Sequence, residues 1–398
     1  MRMRAGSSDA QLSEIPSGRY RERMERLASR AGETGFDAAL VGVGPDLEYL
    51  TGYRAQPLER LTVLVVTPDR APVLHVPRLE LSAAEAGART ALEIRAWHET
   101  DDPYAMALDG VAPPDAGDAT LQLAVSDRLW ASHLLAFQAR LAEGARFEAV
   151  GFSPASALLG ELRMIKDPDE IERLRLAAAA ADRVVAAIAA GPLVGRTEAD
   201  VAAEVRDRLV AEGHDAASFA IVASGPNAAS PHHDASDRLI RAGEPIVLDI
   251  GGTLGGYGSD ITRTLWVTGG DPANGPDDRF RHLYGVLLAA QRAATAAVRP
   301  GLACEAIDEV ARSRIAAEGY GAQFIHRTGH GIGLEAHESP YLVAGNREPL
   351  REGMAFSVEP GIYLDGEVGA RIEDIVVCGP DGPIVLNDVP RDLLVVEG

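Results

Sequence analysis

The sequence predicts a mixed α/β (α+β) protein of two domains, the second built from two related halves. Three observations lead there. Helix and strand patterns alternate between residues 18 and 150, a well-marked helix start follows at Asp167, and a pattern that opens on Gly195 recurs 106 residues later at Gly301.

In the first region "RYRERMERLASRA" has helical spacing, "DAALVGV" reads as a strand, and "RLTVLVVTP" and "APVLHVP" read as strands around a turn at Asp69-Arg70. "LQLAVSD", the helical "RLWASHLLAFQARLAEG" and "RFEAVG" complete an alternation typical of a compact α/β domain over residues 18–155. No polar cluster converges there, which points to a structural, capping or dimerising role. Residues 1–17 are polar, carry no apolar stretch behind their arginines, and read as a mobile tail. "GFSPASALLGELRMIK" reads as a connector. Asp167 as N-cap, Pro168 at N1 and Glu170 at N3 then open a helix that stops at Gly191.

The second domain, residues 156–398, contains the repeat. "GRTEADVAAEVRDRLVAEGHD" and "GLACEAIDEVARSRIAAEGYG" share an opening glycine, Arg206 with Arg312, Arg208 with Arg314, and a closing Ala-Glu-Gly. Strand-like segments follow both: "SFAIVASG" then "PIVLDIGG" in one half, "QFIHRTGHG" then "MAFSVEPG" in the other. Pseudo-twofold halves follow from this order, with room for one site where they meet.

Composition limits the partners. The 398 residues carry 38 basic and 59 acidic side chains, a net charge of −21, which opposes binding to nucleic acid or an anionic membrane. No apolar run reaches membrane-spanning length; the alanine-rich stretch is broken by Asp182 and Arg183. Cys304 and Cys378 are too few for a disulfide framework and fit a reducing, cytoplasmic setting.

The chemistry-bearing residues lie in the repeat. Asp249 and Asp260 sit on two strands of "VLDIGGTLGGYGSDITRTLWV", with ten residues between them, five of them glycine, suited to a hairpin connection. Directly opposite residues of such a hairpin share a face, so symmetric pairing brings the carboxylates together. Alone, the pair is a weak signal, since surface aspartates at loop edges are commoner. The answering strands carry Glu359 in "FSVEPGIY" and Glu373 in "GARIEDIVVC". In "HRTGHGIGLEAHE" His326, His330 and His337 would share one helical face, but Gly329, Gly331 and Gly333 oppose a helix and leave room only for close backbone approach around His330. Four carboxylates and one imidazole form a hard, oxygen-rich set suited to Mn²⁺, Fe²⁺ or Co²⁺ more than to a structural zinc. His232 and His233 stand in a Gly/Pro/Ser/Asn-rich loop, where a binding group and an exposed histidine are equally at home.

Taken together, "LDIGG…SDITRT", "HRTGHGIG", "VEPGIY" and "RIEDIVV" resemble the ligand motifs of the pita-bread metallopeptidases (M24-type), and most of all the Xaa-Pro dipeptidase and Xaa-Pro aminopeptidase branch with its creatinase-type N-terminal domain. The resemblance spans roughly residues 18–395. It implies a pita-bread catalytic domain and two divalent metal ions, Mn²⁺ first, with Co²⁺, Fe²⁺ or Zn²⁺ as alternatives. It implies Asp249 on one ion, His330 and Glu359 on the other, and Asp260 and Glu373 bridging both. It further implies hydrolysis of an Xaa-Pro bond by a metal-bridging hydroxide. His232 and His337 then act on substrate, Glu359 shuttles a proton, and His326, Arg371 and Tyr257 line the pocket. His233 departs from the family's usual neighbour and leaves open which of the doublet acts. The short interval from Glu359 to Glu373 implies a trimmed connection. The expected substrate is a proline-containing dipeptide or short peptide and the expected assembly a homodimer; the compact end of the chain favours the dipeptidase over the aminopeptidase. The fold also hosts hydrolases and lyases of non-peptide molecules, and binding modules that have lost their ligands.

Overall fold

The computed structural model describes residues 14–111, 120–144 and 148–398; residues 1–13 of the expected tail lie outside the described residues. Contacts divide the chain into two compact units, Ser13–Arg163 and Met164–Gly398.

The first unit is a six-stranded mixed sheet with strand order Glu93–Trp97, Val73–Pro77, Val63–Val66, Ala38–Gly42, Thr120–Val125, Ala149–Pro154. Its central strands, Ala38–Gly42 and Val63–Val66, are buried at every position, which explains their unbroken apolar runs. The segment read as a connector is structured. Ala149–Pro154 is the edge strand, and Ser156–Met164 is a helix that buries Leu158, Leu159 and Leu162. The Tyr49 hydroxyl donates to the Leu162 carbonyl at 2.9 Å, and Arg163 pairs with Asp46 at 2.8 Å. The units therefore part at 163/164, where the sequence places the boundary at 155/156. A short helix read as a linker because what ties it down, the Tyr49 hydroxyl and the Asp46 carboxylate, lies far off in the chain, which local pattern does not reveal.

In the second unit the capping box forms as expected. Asp167 accepts from the Glu170 amide, Glu170 answers to the Asp167 amide, and the helix runs Pro168–Ala189. The repeat is visible in three dimensions. Helices Glu198–Ala211 and Cys304–Ala317 both span 14 residues, offset by 106 at each end. Each half follows with three antiparallel strands in the same order: Ala216–Ser224, Glu244–Leu254 and Tyr257–Val267 in one, Gly329–Gly331, Ala355–Val358 and Asp374–Gly379 in the other. Each sheet packs its own apolar core, one around Val184, Val205, Leu248 and Ile261, the other around Leu287, Ile307, Phe356 and Val376. Among the described residues no helix is long and apolar enough to cross a membrane.

The hairpin bearing the two aspartates differs from expectation. Its connection is the two-residue turn Gly255-Gly256, with φ of +58° and +88°, and not ten residues. Both positions lie in the left-handed region that side chains avoid. The other glycines lie within the strands; a Cβ at Gly251 would meet the Ser259 carbonyl and the Phe219 ring. A Gly256→Val variant should therefore lose about 1–2 kcal/mol of stability in urea unfolding, whereas a loss below about 0.5 kcal/mol, the usual surface value, would show that the turn does not need its glycines.

Candidate metal centre

Strand register sets the first two acids. Asp249 pairs with Thr262 and Gly251 with Asp260, so the aspartates are diagonal neighbours and not directly opposite. A shift of two keeps both on one face of the sheet, where cross-strand diagonals remain within reach. The same alternation removes Tyr257. Lying three residues from Asp260, it faces the opposite side, is 2% exposed, and donates from its hydroxyl to Glu170 Oε1 at 3.1 Å. Tyr257, expected from the resemblance to line the substrate pocket, is not among the residues that line the cavity described below.

The second half supplies the rest. Glu359 directly follows the strand Ala355–Val358 and Glu373 directly precedes Asp374–Gly379, so both stand at strand ends and not within strands. Between them the short connection is a hairpin of Gly361–Leu364 and Val368–Arg371. The histidine segment is no helix: Gly329–Gly331 is a strand, and a Cβ at Gly329 would run into the Ser357 carbonyl. His330 Nδ1 faces the Gly331 carbonyl at 3.1 Å, so that nitrogen carries a proton and Nε2 is the nitrogen turned toward the acids. His330 Nε2 lies 3.1 Å from Glu359 Oε1 and 3.6 Å from Asp260 Oδ2.

All five of these residues line one cavity of about 510 Å³, together with His232, His326, His337 and Arg371. Ligand atoms of Asp260, His330 and Glu373 lie within 4.8 Å of one another. Asp249 and Glu359 stand outside that trio: Asp249 Oδ2 accepts from Arg371 at 2.5 Å, and Glu359 accepts from Ser357 Oγ at 3.0 Å. Arg371 also donates to Tyr363 Oη, to Thr262 Oγ1 and to the Pro231 carbonyl. His326 gives its Nδ1 proton to the Arg327 carbonyl, so its Nε2 accepts from the Tyr363 hydroxyl at 2.9 Å. Tyr363 was not singled out from the sequence, although its place in "EPGIY" carried the signal. His337 packs its ring edge-on to His330, with centroids 4.1 Å apart. Its neighbour Glu338 forms a buried ion pair with Lys166, the chain's single lysine.

The histidine doublet divides. His232 lines the cavity, while His233 Nε2 sits 2.8 Å from Glu198 on a side chain that is fully buried. The Glu198 carboxylate also accepts from both the amide and the hydroxyl of Ser224, from Asn227 Nδ2, and from the amide and hydroxyl of Ser236. No local pattern singles out Glu198, whose counterpart in the repeat is Cys304.

Burial is the first influence on every acid of the centre. It raises Asp249 against the opposing charge of Arg371, and with the neighbouring carboxylates it lifts Asp260 and Glu373 well above the usual range. Glu359 goes the other way. Burial would raise it, but the hydrogen bond and charge of His330 outweigh that and bring it down to about 2. Burial likewise opposes the charged form of His330, and Glu359 and Asp260 reverse the balance and raise it. Among the described residues, four acids against the one guanidinium of Arg371 leave a negative excess in an apolar setting, and Asp249 Oδ1 is buried with no hydrogen-bond partner. Hard oxygen donors, one imidazole nitrogen turned among them and an orphaned carboxylate oxygen fit divalent cations.

A model of metallopeptidase family M24 matches residues 172–380, and a creatinase/prolidase N-terminal domain model matches residues 23–165. The chain belongs to metallopeptidase family M24. It is a metal-dependent peptidase with a pita-bread catalytic domain. It is 44% identical to the probable dipeptidase PepE of Mycobacterium tuberculosis, over 95% of this chain and 96% of that one. It is 33% identical to the Xaa-Pro dipeptidase of Lactobacillus helveticus, over 94% of this chain and 98% of that one. The crystal structure of dipeptidase PepE from Mycobacterium ulcerans superposes with a TM-score of 0.85 at 43% identity, covering 96% of this chain and all of that one (100%).

The Glu198 cluster makes stability depend on pH. Burial would raise this carboxyl, but its hydrogen bonds from Ser236, Ser224 and His233 bring it down to about 2, below the ordinary range of a glutamate. A depressed folded value contributes stability that is present above the unfolded pKa and lost as pH falls through the folded one. Between pH about 4.5 and 2, wild type should therefore lose on the order of 2–3 kcal/mol more than Glu198→Gln. Parallel acid-unfolding curves for the two proteins would contradict this.

Proposed function

We propose that this peptidase is an Xaa-Pro dipeptidase that works with two divalent ions, manganese by preference. The observation that carries the reading is the convergence of Asp249, Asp260, His330, Glu359 and Glu373 on a cavity also lined by three further histidines. The names of the relatives supply the substrate class, a dipeptide with proline in second place. Asp249 would hold one ion, His330 and Glu359 the other, and Asp260 and Glu373 both. When bound, such ions supply Lewis acidity and lower the pKa of water toward about 7.

The remaining steps fall to the chain's own residues. His337, brought to about 4 by burial and then by the charge of His330, is neutral at pH 7 and can share a hydrogen bond with the scissile carbonyl oxygen. His232 contacts the substrate from the opposite half's loop. His326 is likewise lowered by burial and stays neutral, and with Arg371 and Tyr363 it forms a fixed polar wall. Glu359 lines the cavity beside His330 and is the carboxylate that would take up a proton from the attacking water and pass it to the imide nitrogen, which must be protonated to leave.

The two free, buried cysteines support a cytoplasmic setting, and we assign the active form as a homodimer. An Xaa-Pro aminopeptidase is the second reading, since it shares the bond cleaved and differs in what caps the pocket beyond proline.

Asp249→Ala should abolish hydrolysis and lower bound metal while the circular dichroism of the folded chain persists; a fully active, metal-free variant would contradict the ligand set. Incubated with an Xaa-Pro dipeptide and an Xaa-Pro-Yaa tripeptide side by side, the enzyme should cleave the dipeptide. Cleavage of the tripeptide alone would establish the aminopeptidase.

A further inference from the structure

The loop that carries His232 is fastened at several points to one buried side chain. Ser224, Asn227, His233 and Ser236 all donate to the Glu198 carboxylate, Ser224 and Ser236 through both amide and hydroxyl. These donors lie on both sides of Pro231 and His232 in the chain. From the cavity side, Arg371 donates to the Pro231 carbonyl at 3.2 Å. Gly369 packs so closely that a Cβ there would strike the Ala228 carbonyl. With His233 turned onto Glu198, the adjacent His232 is the member of the doublet that lines the cavity.

We propose that Glu198 is the positioning residue for His232. Its carboxylate holds the loop in the one arrangement that keeps His232 on the substrate. No neutral side chain can replace it. A carboxylate has about four lone-pair sites on two oxygens and accepts only, whereas a glutamine offers one oxygen and turns two N–H groups toward groups that themselves donate. The loop would lose part of its fastening on each side of His232, and misplacing a substrate-contacting group by about 1 Å can cost up to about 10²-fold in rate. The inference rests on the reading of His232 as a substrate contact.

The test is a double-mutant cycle on the metal-loaded full-length enzyme, with kcat/KM for an Xaa-Pro dipeptide measured for wild type, Glu198→Gln, His232→Ala and the double variant. Glu198→Gln should lose roughly 10- to 100-fold with metal content unchanged. In the His232→Ala background the same change should cost less than about twofold. Equal losses in both backgrounds would make Glu198 a general structural residue and overturn the proposal, as would a single variant within twofold of wild type. Full activity of His232→Ala alone would instead remove the substrate role of His232, a result distinguishable from the other two. Should Glu198→Gln fail to fold, His233→Ala, which removes one donor to the same carboxylate, goes through the same cycle. Its smaller loss must also vanish without His232, and persistence of that loss would overturn the proposal.

Discussion

The structure depends on one electrostatic constraint. Four carboxylates gather where two apolar sheets meet, Asp249, Asp260 and Glu373 buried and Glu359 half-buried, and among the described residues the guanidinium of Arg371 and the imidazole of His330 are the basic groups in contact with them. Desolvation of several acids in one place is costly without compensating charge. Divalent ions supply that charge, and the surrounding hydrogen bonds aim the donors in advance. Thr262 holds Glu373, Ser357 holds Glu359, and the Gly331 carbonyl fixes the imidazole tautomer. Behind Glu373, the fully buried Arg263 binds the Glu373 carbonyl and pairs with Asp374, and its other donors grip the carbonyls of Thr262, Val389 and Pro390.

The repeat explains how a chain builds such a centre. Each half supplies two acids from equivalent strands, so duplication of one α/β unit yields the four carboxylates at once. The halves then diverge. The second adds His330 and its flanking histidines on a glycine-lined strand, where close packing on Ser357 leaves no room for a side chain at 329. The first adds the loop of His232 and the Glu198 carboxylate beneath it. Acid placement follows from symmetry, and the reactive asymmetry lies in the loops.

Features written in local pattern were legible in the sequence: the capping box at Asp167, the paired helices 106 residues apart, and the four acids with His330. Features set by pairing between distant segments were not. The glycine-rich stretch after Asp249 read as a ten-residue connection because glycine signals both turns and close approach. Only the register separates Gly255-Gly256 in the turn from Gly251 in the strand. That register also places Tyr257 on the far face. The helix Ser156–Met164 was hidden because its anchors, Tyr49 on the Leu162 carbonyl and Asp46 on Arg163, come from far off in the chain, and Glu198 because all its donors lie across a fold-level contact. The histidine doublet, ambiguous in one dimension, is divided by that same contact.

The central claim is that this carboxylate set is built around a pair of divalent ions on which hydrolysis depends. Titration of the chelated protein with Mn²⁺, with calorimetry and dipeptide hydrolysis followed on the same sample, tests it most directly. The account predicts two ions per chain, a folded state stabilised as they bind, and activity that appears only with loading. Full activity in the chelated protein, or saturation at a single ion with full activity, would contradict it.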